Sequence, residues 1–249
     1  MPFVTAGDPD LPFTVDVLAT LIARGADLCE VGIPYSDPIA DGPVIQASYT
    51  RALNKKVKLE QILSQLGAAR ARLTAPLVTM ISYAIIHRQG LERYVTTAKA
   101  AGICGAIVPD LLIEESAEML KVCKQHDFNL IQLVTPTTPR DRALRIAESS
   151  TGFLYYVSIT GITGEQTTLP SSLVDSVGWL RQRTNLPICI GFGISKPEHV
   201  RLVAPVADGI IVGSAIVRRM SDAATRPRAE VLKKLSAYAD TLIAACQSS

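Results

Sequence analysis

Glu30 and Asp41 are the residues whose types and placement most invite chemistry. They share one stretch, Leu28 to Pro43, which reads Leu-Cys-Glu-Val-Gly-Ile-Pro-Tyr-Ser-Asp-Pro-Ile-Ala-Asp-Gly-Pro. The stretch begins as an apolar strand and breaks at Gly32. A carboxylate inside such a strand is costly unless something uses or satisfies it. If Cys29 and Val31 face outward, the period of two turns Glu30 inward. Partial desolvation near a strand end raises a carboxyl pKa toward the range useful in proton transfer. The competing role is a buried Glu paired with a cation, yet no predicted strand contains Lys or Arg. Asp41 precedes Gly42-Pro43, so it is either a helix N-terminal cap or a second reacting carboxylate. Asp37 reads more as a turn or partner contact. Asp110 follows a later strand as a further carboxylate or a turn residue.

The elements that must hold these side chains come from hydrophobic patterning. Apolar strands are predicted at Phe3 to Ala6, Leu28 to Gly32, Leu77 to Ile81, Ala106 to Val108, Leu130 to Val134, Phe153 to Ser158, Ile188 to Ile190 and Gly209 to Val212. Helices are predicted at Pro12 to Arg24, Pro43 to Asn54, Leu59 to Leu73, Leu91 to Ala101, Glu114 to His126, Arg140 to Glu148, Ser171 to Arg183, Pro197 to Val203 and Ala229 to Cys246. Near-continuous apolar runs fit parallel strands covered on both faces. Alternation of this kind over 249 residues argues for one (β/α)8 barrel domain spanning residues 1–249.

Composition narrows the function. The chain is 48% hydrophobic with a net charge of +2, too small to argue for nucleic acid or an anionic membrane. Five cysteines without a Cys-x-x-Cys pair read as reduced, buried thiols of a cytosolic protein. His87, His126 and His199 have no metal-ligand spacing. The start has no charged leader region, and no apolar run is long enough to span a bilayer. All lysines fall on predicted helices or loops, which argues against a Schiff-base aldolase with its nucleophile on a strand. Barrels of this kind work at the C-terminal strand ends, often with a phosphate after the last two strands. There the chain places Gly191-Phe192-Gly193-Ile194-Ser195 and Gly213-Ser214-Ala215, with Gly161-Ile162-Thr163-Gly164 after the sixth strand. The loops point to a phosphate, and without a strand lysine or a metal-ligand cluster what remains is metal-free, cofactor-free acid–base chemistry on a phosphorylated substrate.

The motifs Pro2 to Pro9, Glu30 to Pro43, Tyr155 to Ser158 with Gly161 to Gly164, Gly191 to Ser195 and Gly213 to Ala215 together resemble the tryptophan synthase α-subunit family, essentially end to end. The resemblance implies a TIM barrel that cleaves indole-3-glycerol phosphate to indole and glyceraldehyde 3-phosphate, in the cytoplasm, as part of tryptophan biosynthesis. It implies Glu30 as proton shuttle and Asp41 as acceptor of the indole N–H. It assigns Phe3, Ile45, Tyr155 and Phe192 to an indole slot, Thr163, Gly164, Gly193, Gly213 and Ser214 to substrate and phosphate, and Ile159 to Leu169 to a lid. It also implies a β subunit in an αββα complex, with pyridoxal phosphate only in β and none in this chain. Pro34, Asp37, Pro38, Ala84 and Leu112 fall on loops that face β in the family. Ala84 and Leu112 depart from the usual Asn and Pro, and the family's helix before the first strand is absent from the sequence. A stand-alone indole-releasing lyase and a weakly active regulatory subunit remain open on these loops.

Overall fold

The computed structural model describes residues 1–38, 41–158, 171–191 and 193–247. Parallel strands β1 (Phe3–Thr5), β2 (Cys29–Gly32), β3 (Leu77–Met80), β4 (Ile103–Ile107) and β5 (Asn129–Ile131) pair in chain order. So do β6 (Leu133–Val134), β7 (Leu154–Val157), β8 (Ile188–Gly191) and β9 (Gly209–Ile211). β5 and β6 are halves of one strand interrupted at Gln132, whose backbone N–H is taken by Ser150 Oγ at 3.1 Å. Gln132 O still accepts from Tyr155 N at 3.0 Å, so the ladder carries across the break. The ends also meet. Phe3 N donates to Val212 O and Val212 N to Met1 O, both at 2.9 Å, around a parallel Pro2–Val212 bridge. The sheet thus closes into an eight-stranded barrel with helices outside.

The barrel has two cores, as alternation along a strand requires. Cys29, Val31 and Val4 pack outward against the helices. Val78, Ile107, Ile131, Tyr155, Cys189 and Ile211 fill the interior. Glu30 pairs in register with Phe3 on one side and Val78 on the other, which puts it among the inward side chains.

Helices α1 (Leu11–Ala23), α2 (Pro43–Asn54), α3 (Leu59–Ala68), α5 (Leu91–Ala100), α6 (Ala117–Gln125), α7 (Arg140–Ser149), α8 (Ser171–Arg181), α9 (Pro197–Val203) and α11 (Arg228–Gln247) follow the predicted pattern. Two more were read only as loop or turn. One is α4 (Tyr83–Gln89), started by the Ser82 side chain accepting from Ala84 N and ended at Gly90. The other is α10 (Ser214–Met220), seven residues long. β4 also begins earlier than expected, at Ile103. Gly105 sits inside it because Asn129 leans across from β5; a Cβ on Gly105 would lie 2.8 Å from Asn129 Cβ.

α2 determines where the Asp41 loop ends. Pro43 occupies its first turn, and Ile45, Ser48, Tyr49 and Ala52 form its buried face at helical spacing. A buried carboxylate, Asp8, anchors this helix to the loop after β1. Arg51 binds it through both ends of its fork, Nε to Oδ1 at 3.0 Å and Nη2 to Oδ2 at 2.6 Å, and Ser48 Oγ also donates to Oδ2. Arg51→Met leaves Asp8 buried with only the serine, which costs about 3 kcal/mol. Urea denaturation is expected to show that loss; an unchanged midpoint would mean that Asp8 needs no cation.

Candidate active site

A cavity of about 550 Å³ opens at the C-terminal ends of the strands. Phe3, Asp41, Ile45, Tyr155, Gly193, Gly213 and Ser214 all line it, each a residue singled out from the sequence. Thr163, Gly164, Phe192 and the stretch Ile159 to Leu169 lie outside the described residues.

Glu30 lies beneath the cavity rather than on its wall. It is fully buried, and neither carboxyl oxygen has a hydrogen-bond partner among the described residues. The sequence suggested only partial desolvation. Burial is complete because aromatic groups roof the strand: the Phe3 ring and the Tyr49 hydroxyl occupy the space a Cβ on Gly32 would need. Tyr155 does the same over Gly191. Desolvation pushes the Glu30 carboxyl up to about 8, with the amino terminus opposing the rise. At neutral pH it holds a proton it can give away.

Asp41 is not a helix cap. The cap position of α2 is Gly42, with no side-chain cap bond. The loop is held through the Asp41 backbone instead: its carbonyl accepts from Gln46 Nε2 at 2.7 Å and its N–H reaches Pro38 O at 3.2 Å. Its half-buried carboxyl is raised by desolvation to about 6. Asp41 is therefore largely ionised where Glu30 is largely protonated, a division of roles set by environment.

The remaining carboxylates are structural or superficial. Asp110 accepts from Ser82 Oγ at 2.6 Å and Tyr83 N at 2.8 Å, pinning the loops after β3 and β4 together. Asp37 is exposed and accepts from Ser36 Oγ at 2.7 Å. Pro38 is half-buried, Ala84 and Leu112 are exposed, and Leu112 keeps 55% of its surface in solvent. Pro34 is buried, so it shapes its loop rather than presenting a surface.

The opposite end of the cavity is basic. Lys196, Arg218 and Arg219 line it beside Gly193, Gly213 and Ser214. The glycine motifs drew attention to the backbone there, and these cations were not singled out from the sequence. In α10 both come round to the cavity. Arg219 lies over the Tyr238 ring at 3.5 Å and donates to Ala215 O at 2.8 Å. The loop after β8 is braced by Tyr238, whose hydroxyl donates to Ser195 O at 2.9 Å, and by buried His199, whose Nδ1 accepts from Ser195 N at 3.3 Å. Among the described residues no three His, Cys, Asp or Glu side chains converge as a metal-ligand set.

The family description "Tryptophan synthase alpha chain" matches residues 1–247. The tryptophan synthase alpha chain of Rhodopirellula baltica is 61% identical over 231 residues, covering 92% of this chain and 83% of that protein. Among solved structures, tryptophan synthase subunit alpha from Legionella pneumophila superposes with a TM-score of 0.89 at 32% identity, covering 100% of this chain and 92% of that one. The tryptophan synthase A-subunit of Pyrococcus furiosus gives 0.88 at 34% identity, covering 98% and 96%.

The roof over Glu30 depends on Gly32. An alanine there meets the Phe3 ring, and its Cβ would stand 2.9 Å from the Tyr49 hydroxyl. Gly32→Ala is expected to cost about 1–3 kcal/mol of stability through overpacking. Thermal melting checks this; an unaltered Tm would show that the aromatic roof is loose.

Proposed function

The chain belongs to the tryptophan synthase alpha chain family, and we propose that Glu30 and Asp41 carry out its carbon–carbon cleavage as proton shuttle and electrostatic support. Alpha chains of this family are lyases acting on indole-3-glycerol phosphate in tryptophan biosynthesis, and they work with a beta subunit. The observation that carries the residue assignment is a pair of unequally buried carboxyls, Asp41 on the cavity wall and raised to about 6, Glu30 sealed off that wall and raised to about 8.

The chemistry follows from this inequality. Indole is a poor carbanion leaving group, so its C3 takes a proton as the bond to the glyceryl carbon breaks. Protonated Glu30 supplies that proton. The resulting carboxylate then takes the proton of the glyceryl hydroxyl as the carbonyl of glyceraldehyde 3-phosphate forms, which restores the acid. Ionised Asp41 accepts the indole N–H and stabilises the positive charge that develops on the ring. Phe3, Ile45 and Tyr155 supply the apolar slot. Gly193, Gly213 and Ser214 offer backbone N–H groups to the phosphate, with Lys196, Arg218 and Arg219 as counter-charge. Thr163, Gly164 and Phe192 are assigned to the same subsites by resemblance.

No cofactor is assigned to this chain; pyridoxal phosphate is placed in the beta subunit. Lys196, the lysine among the described cavity residues, is exposed at the rim and unsuited to a desolvated Schiff base. An αββα complex in the cytoplasm completes the proposal. The exposed Leu112 and Ala84, with Asp37 and Pro38, support a partner surface on this side of the barrel.

Indole release from indole-3-glycerol phosphate tests the reading, with and without a beta subunit. Asp41 must be ionised and Glu30 protonated. The kcat/KM profile is therefore expected to fall below about pH 6 and above about pH 8. Glu30→Gln, with no proton to cycle, is expected to lose at least about 100-fold in kcat, and Asp41→Asn about 100-fold or more. Near-normal turnover by Glu30→Gln would overturn the assignment.

A further inference from the structure

Tyr49 has so far only a packing role, as part of the cover over Glu30. It is buried on the inner face of α2, one turn after Ile45, and packs with Phe3, Ile45 and Val217. It also lines a second cavity of about 350 Å³ on the far side of Asp41, together with Asp41 itself, Tyr35, Met80 and Asp110. Its hydroxyl lies where a side chain on Gly32 would stand. Gly32 is the residue directly above Glu30 on the inward face of β2. The two-residue repeat along a strand is about 6.6 Å, within the combined reach of a glutamate side chain and a phenol hydroxyl over Gly32.

Neither Glu30 oxygen has a hydrogen-bond partner among the described residues, and the Tyr49 hydroxyl lies over the next inward position of the same strand, close enough for the Glu30 charge to act on it. We propose that Tyr49 is a positioning residue for Glu30: its hydroxyl donates a hydrogen bond to the Glu30 carboxylate that forms when the glutamate gives up its proton. This rests on the role assigned to Glu30 above.

The other groups facing Glu30 do not replace this donor. Cys189 on β8 is a thiol raised to about 12, a weak donor at best, and Cys29 points to the other face of the strand. Tyr155 on β7 holds its hydroxyl over Gly191 on β8, away from Gly32, although the Glu30 charge raises its phenol as well. The Met1 ammonium donates to Ile210 O at 2.9 Å. Asp41, when ionised, only accepts. Both carboxylates raise the Tyr49 phenol further above its ordinary value, beyond what its burial does, so it keeps its proton and remains a donor throughout the working range. A bond made only to the ionised glutamate is worth most in mid-reaction, where it lowers the barrier rather than the binding energy.

Tyr49→Phe removes the hydroxyl and keeps the ring, so the packing with Phe3 and Ile45 persists. With indole-3-glycerol phosphate as substrate, kcat is expected to fall about ten- to a hundredfold with KM little changed. Loss of a donor to the charged form raises the Glu30 pKa, so the alkaline limb of kcat/KM moves to higher pH. Glu30→Gln is assayed alongside, and thermal melting of both variants is recorded. An inactive Glu30→Gln beside a Tyr49→Phe with unchanged kcat and an unmoved alkaline limb would overturn the proposal while leaving Glu30 in place. So would a Tyr49→Phe that only melts earlier or only raises KM. An active Glu30→Gln would overturn the glutamate's role and this proposal with it.

Discussion

The structure depends on one uncomfortable interaction: a carboxyl group sealed in an apolar barrel with nothing to bind. Relative to an ordinary glutamate near 4.5, a folded-state value of about 8 favours the unfolded chain as pH rises between those two values. Stability is therefore highest below about pH 4.5 as far as this group is concerned, and is lost through the window up to about 8. At pH 7 the cost is about 3 kcal/mol. A sum of that size is a large part of the net stability of a domain. The return on it is a glutamic acid that is still protonated at neutral pH beside an aspartate that is not.

Much of the surrounding architecture keeps that arrangement in place. Barrel closure through the Pro2–Val212 bridge sets Phe3 beside Glu30. Gly32 leaves room for the Phe3 ring and the Tyr49 hydroxyl to cover it. The Asp8–Arg51 pair fastens α2, and α2 carries Ile45 and Tyr49 and begins where the Asp41 loop ends. Across the cavity, Tyr238 and His199 brace the loop that presents Gly193 and Ser195. The cavity is thereby polarised, with the Asp41 carboxyl at one end and Lys196, Arg218 and Arg219 at the other.

The eight-fold repeat and the inward aim of Glu30 were legible in the sequence because both follow from period-two burial of the strands. Gly213 and Ser214 were legible from the glycine loops at the last strand ends, whereas Phe3, Ile45 and Tyr155 were reached only through the family resemblance. Three things were not legible, each for a physical reason. The complete burial of Glu30 comes from side chains on other elements, Phe3 and Tyr49, which no local pattern reports. The rim cations Arg218 and Arg219 were missed because attention fell on the glycine backbone and helix start at Ser214, and which side chains of a short helix turn back to the cavity is set by its packing. β4 was placed late because Gly105 reads as a breaker unless the lean of Asn129 is known. The sequence also left Asp41 balanced between cap and reactant; Gly42 in the cap position removes the first of those roles.

The central claim is that burial keeps Glu30 protonated at neutral pH, and infrared difference spectroscopy reads this directly. A protonated-carboxyl C=O band that persists at pH 7, disappears as pH rises through about 8 and is missing from Glu30→Gln is the predicted result. Absence of any such Glu30-dependent band above about pH 6, where an ordinary glutamate is already ionised, would contradict it.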